Sequence, residues 1–207
     1  PCSPGRACLY TGTYQLNNRV VANGTPLDAR FDNLAHAARR AGFAPTLFGY
    51  TDQSIDPRDA SGPDDPRLSS YEGVLPGFDV GLELTGNEQR AWIDRLRELG
   101  YPAPADADEA LALESERPVE HGVSAFLTDA LIDWVERQRG PWFAHASYFR
   151  PHPPYAAAGH FSREYDPATL PLPLAPAAER HRLHDGLLIH RDTAAPRGEA
   201  AIRQLRA

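Results

Sequence analysis

Apolar positions along the chain recur at helical spacing in several places, and short apolar runs follow them. Phe126, Leu127, Ala130, Leu131, Trp134 and Val135 follow the period of a helix with one apolar face. Gly140-Pro141 breaks that helix, and the next run, 142–149, predicts a strand whose Phe143 and Ala144 are buried. The same order occurs earlier. Phe31, Leu34, Ala35 and Ala38 share one face of a predicted helix over 32–40, Gly42 stops it, and 44–50 reads as a short strand. Trp92, Ile93, Leu96 and Leu99 form one stripe of a predicted helix over 86–99, closed by Gly100. At the start of the chain, Ser3 as a cap, Pro4 in the first turn and Gly12 as a stop predict a helix. A last helix is predicted from about Arg197 to the end at Ala207. Repeated helix–glycine–strand units predict an α/β fold.

Between these units the pattern lapses. Residues 52–77 turn to Asp, Pro, Ser and Gly and read as an irregular surface loop. Residues 102–118 are acidic and Ala-rich and are expected to be exposed, and 102–122 as a whole reads as irregular or insert-like. Residues 156–195 are Pro-, Ala- and His-rich and are expected to be mostly loop. The 20 prolines cluster at 151–154 and 167–176, so they punctuate loops. No internal repeat is visible, and 207 residues suit one sizeable core.

Charge narrows the function classes. A net charge of −7 argues against nucleic-acid or anionic-membrane partners, which need basic patches. No apolar run approaches the roughly 18 residues of a membrane span. The chain begins with Pro1 and contains no Met, which predicts a processed chain or a fragment, with a cytoplasmic location slightly favoured. Cys2 and Cys8 would point about 240° apart on one helix, so no bridge between them is expected, and Cys8 reads as a small apolar residue.

The candidate chemistry starts at the N-terminus. Pro1-Cys2-Ser3-Pro4-Gly5-Arg6-Ala7-Cys8-Leu9-Tyr10-Thr11-Gly12 contains Cys-x-Pro-x-Arg followed by Leu-x-Thr-Gly. By residue type alone, Cys2 is either a thiolate activated at a helix N-terminus or an inert cysteine, and Arg6 is a surface charge or a fixed hydrogen-bonding fork. The full string resembles the signature of the sulfatase branch of the alkaline-phosphatase superfamily. That resemblance implies that Cys2 is oxidised to formylglycine, whose hydrate offers two hydroxyls: one attacks sulfur or phosphorus, and the other later collapses to the aldehyde and expels the product. It implies that Arg6 holds the nucleophile or adjoining carboxylates.

Further along, Arg150-Pro151-His152-Pro153-Pro154-Tyr155 lies beyond the carboxyl end of a predicted strand, where α/β sheets place ligands. By type alone His152 is structural or catalytic. The segment resembles that of phosphonate monoester hydrolases and related arylsulfatases, which implies that His152 contacts the transferred group and protonates the leaving oxygen. His145 reads as core. Asn23, in Val20-Val21-Ala22-Asn23-Gly24-Thr25-Pro26-Leu27-Asp28, is either a turn residue or, by the same resemblance, a substrate contact. Gly49-Tyr50-Thr51-Asp52 has Tyr50 where ordinary sulfatases carry lysine, as the phosphonate hydrolases do, but Asp52 where those carry threonine. Unit charges at 4 Å and an effective dielectric near 20 repel by about 4 kcal/mol. Three outcomes are open: Asp52 turns away, Thr51 supplies the hydroxyl, or the substrate differs.

The resemblance is strong at 1–14, 23–50 and 124–155. It implies part of an alkaline-phosphatase-like sandwich, a mostly parallel sheet flanked by helices, spanning 1–207 as a partial catalytic domain. It implies hydrolysis of phosphonate monoesters, phosphodiesters or sulfate esters, a small anionic ester as substrate, a formylglycine-generating enzyme as partner, and compatibility with an oligomer. It also implies a divalent metal, Ca or Mn, to which only the modified Cys2 would contribute from this chain, so that this stretch alone is expected to be inactive. The competing class is a non-catalytic binding or scaffold protein that retains the fold.

Overall fold

The computed structural model describes residues 2–85, 88–174, 181–190 and 198–206, with backbone alone for 187–190. Three strands, β1 (Pro45–Gly49), β2 (Asp79–Glu83) and β3 (Phe143–Ala146), form a parallel sheet in the order β2-β1-β3. Thr46 stands opposite Asp79 on one side and Ala144 on the other, and Leu47 stands opposite Val80 and His145. The helices are α1 (Cys2–Thr11), α2 (Gln15–Asn18), α3 (Leu34–Arg40), α4 (Arg90–Glu98), α5 (Ala107–Ala112), α6 (Val123–Glu136), α7 (Arg182–His190) and α8 (Glu199–Arg206). None of the helices among the described residues is long and apolar enough to cross a membrane.

Successive side chains of a strand point to opposite faces, and β1 is buried at every position because both faces are covered. Leu47 joins Tyr10, Ala35, Leu75 and Phe78 on one face. Phe48 joins Trp92, Ile93, Leu96, Ala110, Leu111, Val123 and Leu127 on the other. That double cover is why 44–50 reads as a continuous apolar run.

Several expectations are corrected. The predicted helix over 32–40 starts at Leu34, because the Asn33 side chain accepts a bond from His36 N at 3.0 Å and caps it, leaving Leu34 facing outward. Gln89, at φ 43°, ends the approach to α4, so that helix opens at Arg90; Gly86, its expected start, lies outside the described residues. Ser3 does not cap α1 but lies buried in its first turn. The strand predicted over 142–149 is confined to β3 and is half-buried rather than buried. Among the described residues it pairs only with β1, and Trp142 stays exposed.

Residues 102–122 are exposed only in part. Ala107, Ala110, Leu111, Glu114 and Arg117 are buried against the α4 side of the sheet. The indole of Trp92 donates to His121 O at 2.9 Å, and the Arg117 guanidinium lies 5.6 Å from the Trp92 ring. Residues 52–77 are irregular as expected, with single turns at Pro57–Asp59 and Pro66–Leu68, but both ends of the loop are buried. Within 156–195, α7 replaces expected loop; residues 175–180 and 191–195 lie outside the described residues, as do Arg197 and Ala207 of the last predicted helix. The strand β2 was not among the predicted elements, although Val80 and Leu82 alternate with Asp79, Gly81 and Glu83 over its five residues. Its Gly81 is needed because Phe48 and Thr46 lie across it: a Cβ there would meet Phe48 Cζ at 2.7 Å and Thr46 Cγ2 at 2.9 Å.

Candidate functional site

The carboxyl ends of β1 and β3 are joined by Ser147 N donating to Phe48 O at 2.8 Å. They come so close that a Cβ at Gly49 would lie 2.1 Å from Ser147 O, and Gly49 takes φ 106°. Only glycine meets both conditions without strain. The chain then runs through Tyr50 and Thr51 and reverses at Asp52, whose φ of 52° is left-handed, a conformation Asp tolerates better than most residues. The reversal brings Asp52 back toward α1.

Arg6, one turn into α1, fills the space so enclosed. Its Nε lies 2.8 Å from Asp52 Oδ2. Its Nη1 donates to Ser147 Oγ at 2.8 Å, Tyr50 O at 3.2 Å and the Tyr10 hydroxyl at 3.2 Å, while its Cζ sits 4.5 Å from the Tyr50 ring centroid. One guanidinium thus ties α1 to the ends of β1 and β3. The Asp52 contact is close but poorly aligned, and Oδ2 has no directed hydrogen bond, so the pair is chiefly Coulombic. Burial pushes the Asp52 carboxyl above its ordinary range, with Arg6 and then His152 opposing that shift. Tyr10 passes the network on to His145, its hydroxyl 3.1 Å from Nε2, and His145 stacks on Phe78. Burial holds His145 below the ordinary histidine range.

Of the three outcomes left open for Asp52, the geometry selects the first: the carboxylate turns to Arg6. Thr51 does not stand in for a missing hydroxyl, since its Oγ1 donates to Gly73 O and accepts from Leu75 N, both at 2.7 Å. Tyr50 is nearly buried; that burial, opposed by Arg6, pushes its phenol up to about 12, so it stays a neutral donor at physiological pH.

Cys2 opens α1 and is half-buried; both cysteines are free. Asn23 reaches the same helix end, its Oδ1 accepting from Ser3 N at 3.0 Å, which supplies the cap that Ser3 does not. This orientation leaves the Asn23 amide to hydrogen-bond Tyr71. Tyr71 is half-buried and its phenol is raised by burial and then by the negative charges of Glu72, Asp52 and Cys2. His152 lies exposed beyond β3, its ring 4.8 Å from that of Phe149. Its Nδ1 is 2.8 Å from Pro153 O; a carbonyl only accepts, so Nδ1 carries the proton and Nε2 is left to exchange one. The charge of His152 acts on Asp52 and that of Cys2 acts on Tyr50, so both ends of the candidate set share one electrostatic neighbourhood.

The structure therefore brings together Cys2, Arg6, Asn23, Tyr50, Asp52 and His152. Sequence reasoning missed Ser147, Tyr10 and Tyr71. The phrase Tyr71-Glu72-Gly73 stands inside an irregular loop, and only its proximity to Asn23 reveals it. A half-exposed Cys2 beside Asn23 and Arg6 is compatible with formylglycine at that position. Among the described residues no group of three or more His, Cys, Asp or Glu that could hold a metal ion occurs.

Comparison with known proteins bears on the whole arrangement. A sequence model for sulfatases matches residues 1–180. The multifunctional alkaline phosphatase superfamily protein PehA of Trinickia caryophylli is 34% identical over 193 residues, which cover 84% of this chain and 36% of that protein. Choline-sulfatase of Rhizobium meliloti is 23% identical over 170 residues, 80% of this chain and 32% of its own. The crystal structure of a phosphonate monoester hydrolase of Agrobacterium radiobacter matches with a TM-score of 0.75 and 44% identity, over 86% of this chain and 37% of that one. The phosphonate monoester hydrolase from Silicibacter pomeroyi matches with a TM-score of 0.81 and 33% identity, over 100% and 46%. The chain thus spans less than half the length of each of these proteins.

Proposed function

Because this chain belongs to the sulfatase family, with an alkaline-phosphatase-like α/β fold, we propose that the polypeptide carrying it hydrolyses singly charged phosphorus esters, phosphonate monoesters or phosphodiesters, through a formylglycine made from Cys2. The hydrated aldehyde supplies the nucleophile for ester transfer. Arg6 fixes the Cys2 end of α1 against both strand ends and so orients the attacking group. Asn23 and Tyr50 offer neutral donors to the non-bridging oxygens, and His152 delivers the proton at Nε2 to the leaving oxygen.

The observation that carries the substrate class is the Arg6–Asp52 pair. Where a lysine would add a cation, Tyr50 is neutral, and the charge of the neighbouring guanidinium is offset by Asp52. A site with few free cations gains little from a dianion and accepts a monoanionic ester better.

The modification is tested by peptide mass: conversion of thiol to aldehyde lowers the Cys2 peptide by about 18 Da, an oxidation outside the ordinary cysteine ladder. An unmodified Cys2 in fully active protein would sink the mechanism. For substrate class, kcat/KM is measured on matched aryl esters. The phosphonate monoester or phosphodiester should exceed the phosphate monoester, and Tyr50→Lys should narrow that gap. An aryl sulfate preferred by more than about tenfold, 1.4 kcal/mol in transition-state binding, would overturn the assignment.

A further inference from the structure

The buried ion pair Glu114–Arg150 serves none of the roles above, yet it stands against the loop that carries His152. We propose that the pair is a positioning clamp for His152, with Glu114 acting through Arg150; the inference rests on His152 being the leaving-group acid. The Arg150 side chain spends its donors on two groups of partners. On one side Nε donates to Glu114 Oε2 at 2.8 Å, and Nη2 donates to the same oxygen and to Leu111 O, the latter at 2.8 Å. On the other side Nη1 donates to His152 O at 3.1 Å and to Pro154 O. The carbonyls it holds are those of the histidine itself and of the residue two positions on.

Glu114 in turn is anchored. Its other oxygen, Oε1, accepts from Val123 N at 2.8 Å at the start of α6, and its side chain is only 2% exposed against 15% for Arg150. Room for that carboxylate exists because residue 122 is glycine: a Cβ there would sit 2.9 Å from Glu114 Oε1 and 2.8 Å from Ala158 Cβ. The helix start, the carboxylate, the guanidinium and the loop carbonyls form one continuous chain of charge-assisted bonds. A guanidinium is a rigid planar fork, so it fixes direction as well as distance. Pro151, Pro153 and Pro154 already lock φ at three of the loop positions, and the Nδ1 contact with Pro153 O and the Phe149 ring locate the imidazole. What remains is the placement of the loop as a body, and Arg150 sets it. Misplacement by about 1 Å costs on the order of a hundredfold in rate.

The test compares two aryl esters of one phosphonic acid, phenyl and 4-nitrophenyl, in the complete polypeptide. A group that protonates the leaving oxygen matters for phenolate and little for 4-nitrophenolate. His152→Ala should lose far more on the phenyl ester. Glu114→Gln should lose kcat on the phenyl ester by about tenfold or more, with the 4-nitrophenyl rate within about threefold and KM unchanged, and should add no selective loss to His152→Ala. Should Glu114→Gln fail to fold, Arg150→Lys keeps the charge but cannot span both carbonyls, and the same bias is expected. Equal losses on both esters, or a lowered Tm alone, in variants of Glu114 and Arg150 while His152→Ala stays selective would overturn the clamp. A His152→Ala protein without leaving-group bias would overturn the acid role itself, and the clamp with it.

Discussion

Replacing Arg6 by Met tests the centre of the site, because it removes the guanidinium and keeps most of the apolar stem. Asp52, with a side chain 2% exposed, would then lose its close cation, while Ser147 Oγ, Tyr50 O and the Tyr10 hydroxyl would lose a donor. Breaking a buried pair costs about 3–5 kcal/mol. Arg6 is itself 21% exposed, so the lower end applies, about 3 kcal/mol, or roughly a hundredfold in the folded-to-unfolded ratio. The pH dependence carries a sign. The Asp52 carboxyl already titrates above its ordinary range, with Arg6 the main influence pulling it down. Without Arg6 it rises further, so the folded state binds the proton more tightly than the unfolded chain does. Stability then falls as pH rises through the folded value, and the deficit of the variant should be largest near pH 8 and shrink toward pH 5. Urea denaturation followed by the fluorescence of Trp92, Trp134 and Trp142 reads this directly. Adding Asp52→Asn to Arg6→Met should recover part of the loss at pH 8. A deficit constant from pH 5 to 8, and unchanged by Asp52→Asn, would refute the account of Asp52 as the stranded charge.

Three further outcomes are expected. Tyr71→Phe removes the partner of the Asn23 amide and should lower kcat/KM for the phosphonate ester by up to about tenfold, because a neutral hydrogen bond contributes about 0.5–1.5 kcal/mol; steady-state kinetics decide it. Leu47→Ala, wholly buried in the centre of the sheet, should lower stability by about 3 kcal/mol with an unchanged denaturant slope. Asp65 is held well below the ordinary carboxylate range by Arg67 and the Ser61 and Arg67 amides, so it contributes stability that is present above its unfolded value near 4 and lost as pH falls; Asp65→Asn should flatten the acid limb of a stability–pH curve.

What was legible in the chain was whatever lies within a few residues of itself. The Cys2–Arg6 spacing, the apolar stripe of α6 and the run that became β1 all encode their outcome locally. The elements that escaped are those whose logic is supplied by a distant partner. The strand β2 is too short for the alternation of Val80 and Leu82 to stand out, its pairing with β1 is what makes it a strand, and its Gly81 has meaning only beneath Phe48. Residues 102–122 look solvated because their charges are counted before they are paired: Glu114 is buried with Arg150 and the Val123 amide, and Arg117 against Trp92, Tyr101 and Ala110 O. In the site the same holds for Ser147, which sequence marks in no way and which meets Arg6 across 141 positions. Asp52 was recognised as the anomaly, but its direction depended on a left-handed backbone turn that no pattern announced.

The strand order has a further consequence for how the chain reaches this state. After the central strand β1, β2 follows about thirty residues later and β3 nearly a hundred. At roughly 5–20 residues per second, β1 waits on the order of 5–20 s for its second neighbour. Through that interval the hydrogen-bonding edge reserved for β3 has no native partner, which is the circumstance in which nascent chains associate with one another. The same order delays Arg6, whose bond to Ser147 cannot form until β3 is in register. The geometry of the candidate site therefore arrives with β3, and slow translation or a holdase acting between residues 49 and 143 would be felt first as yield rather than as specific activity.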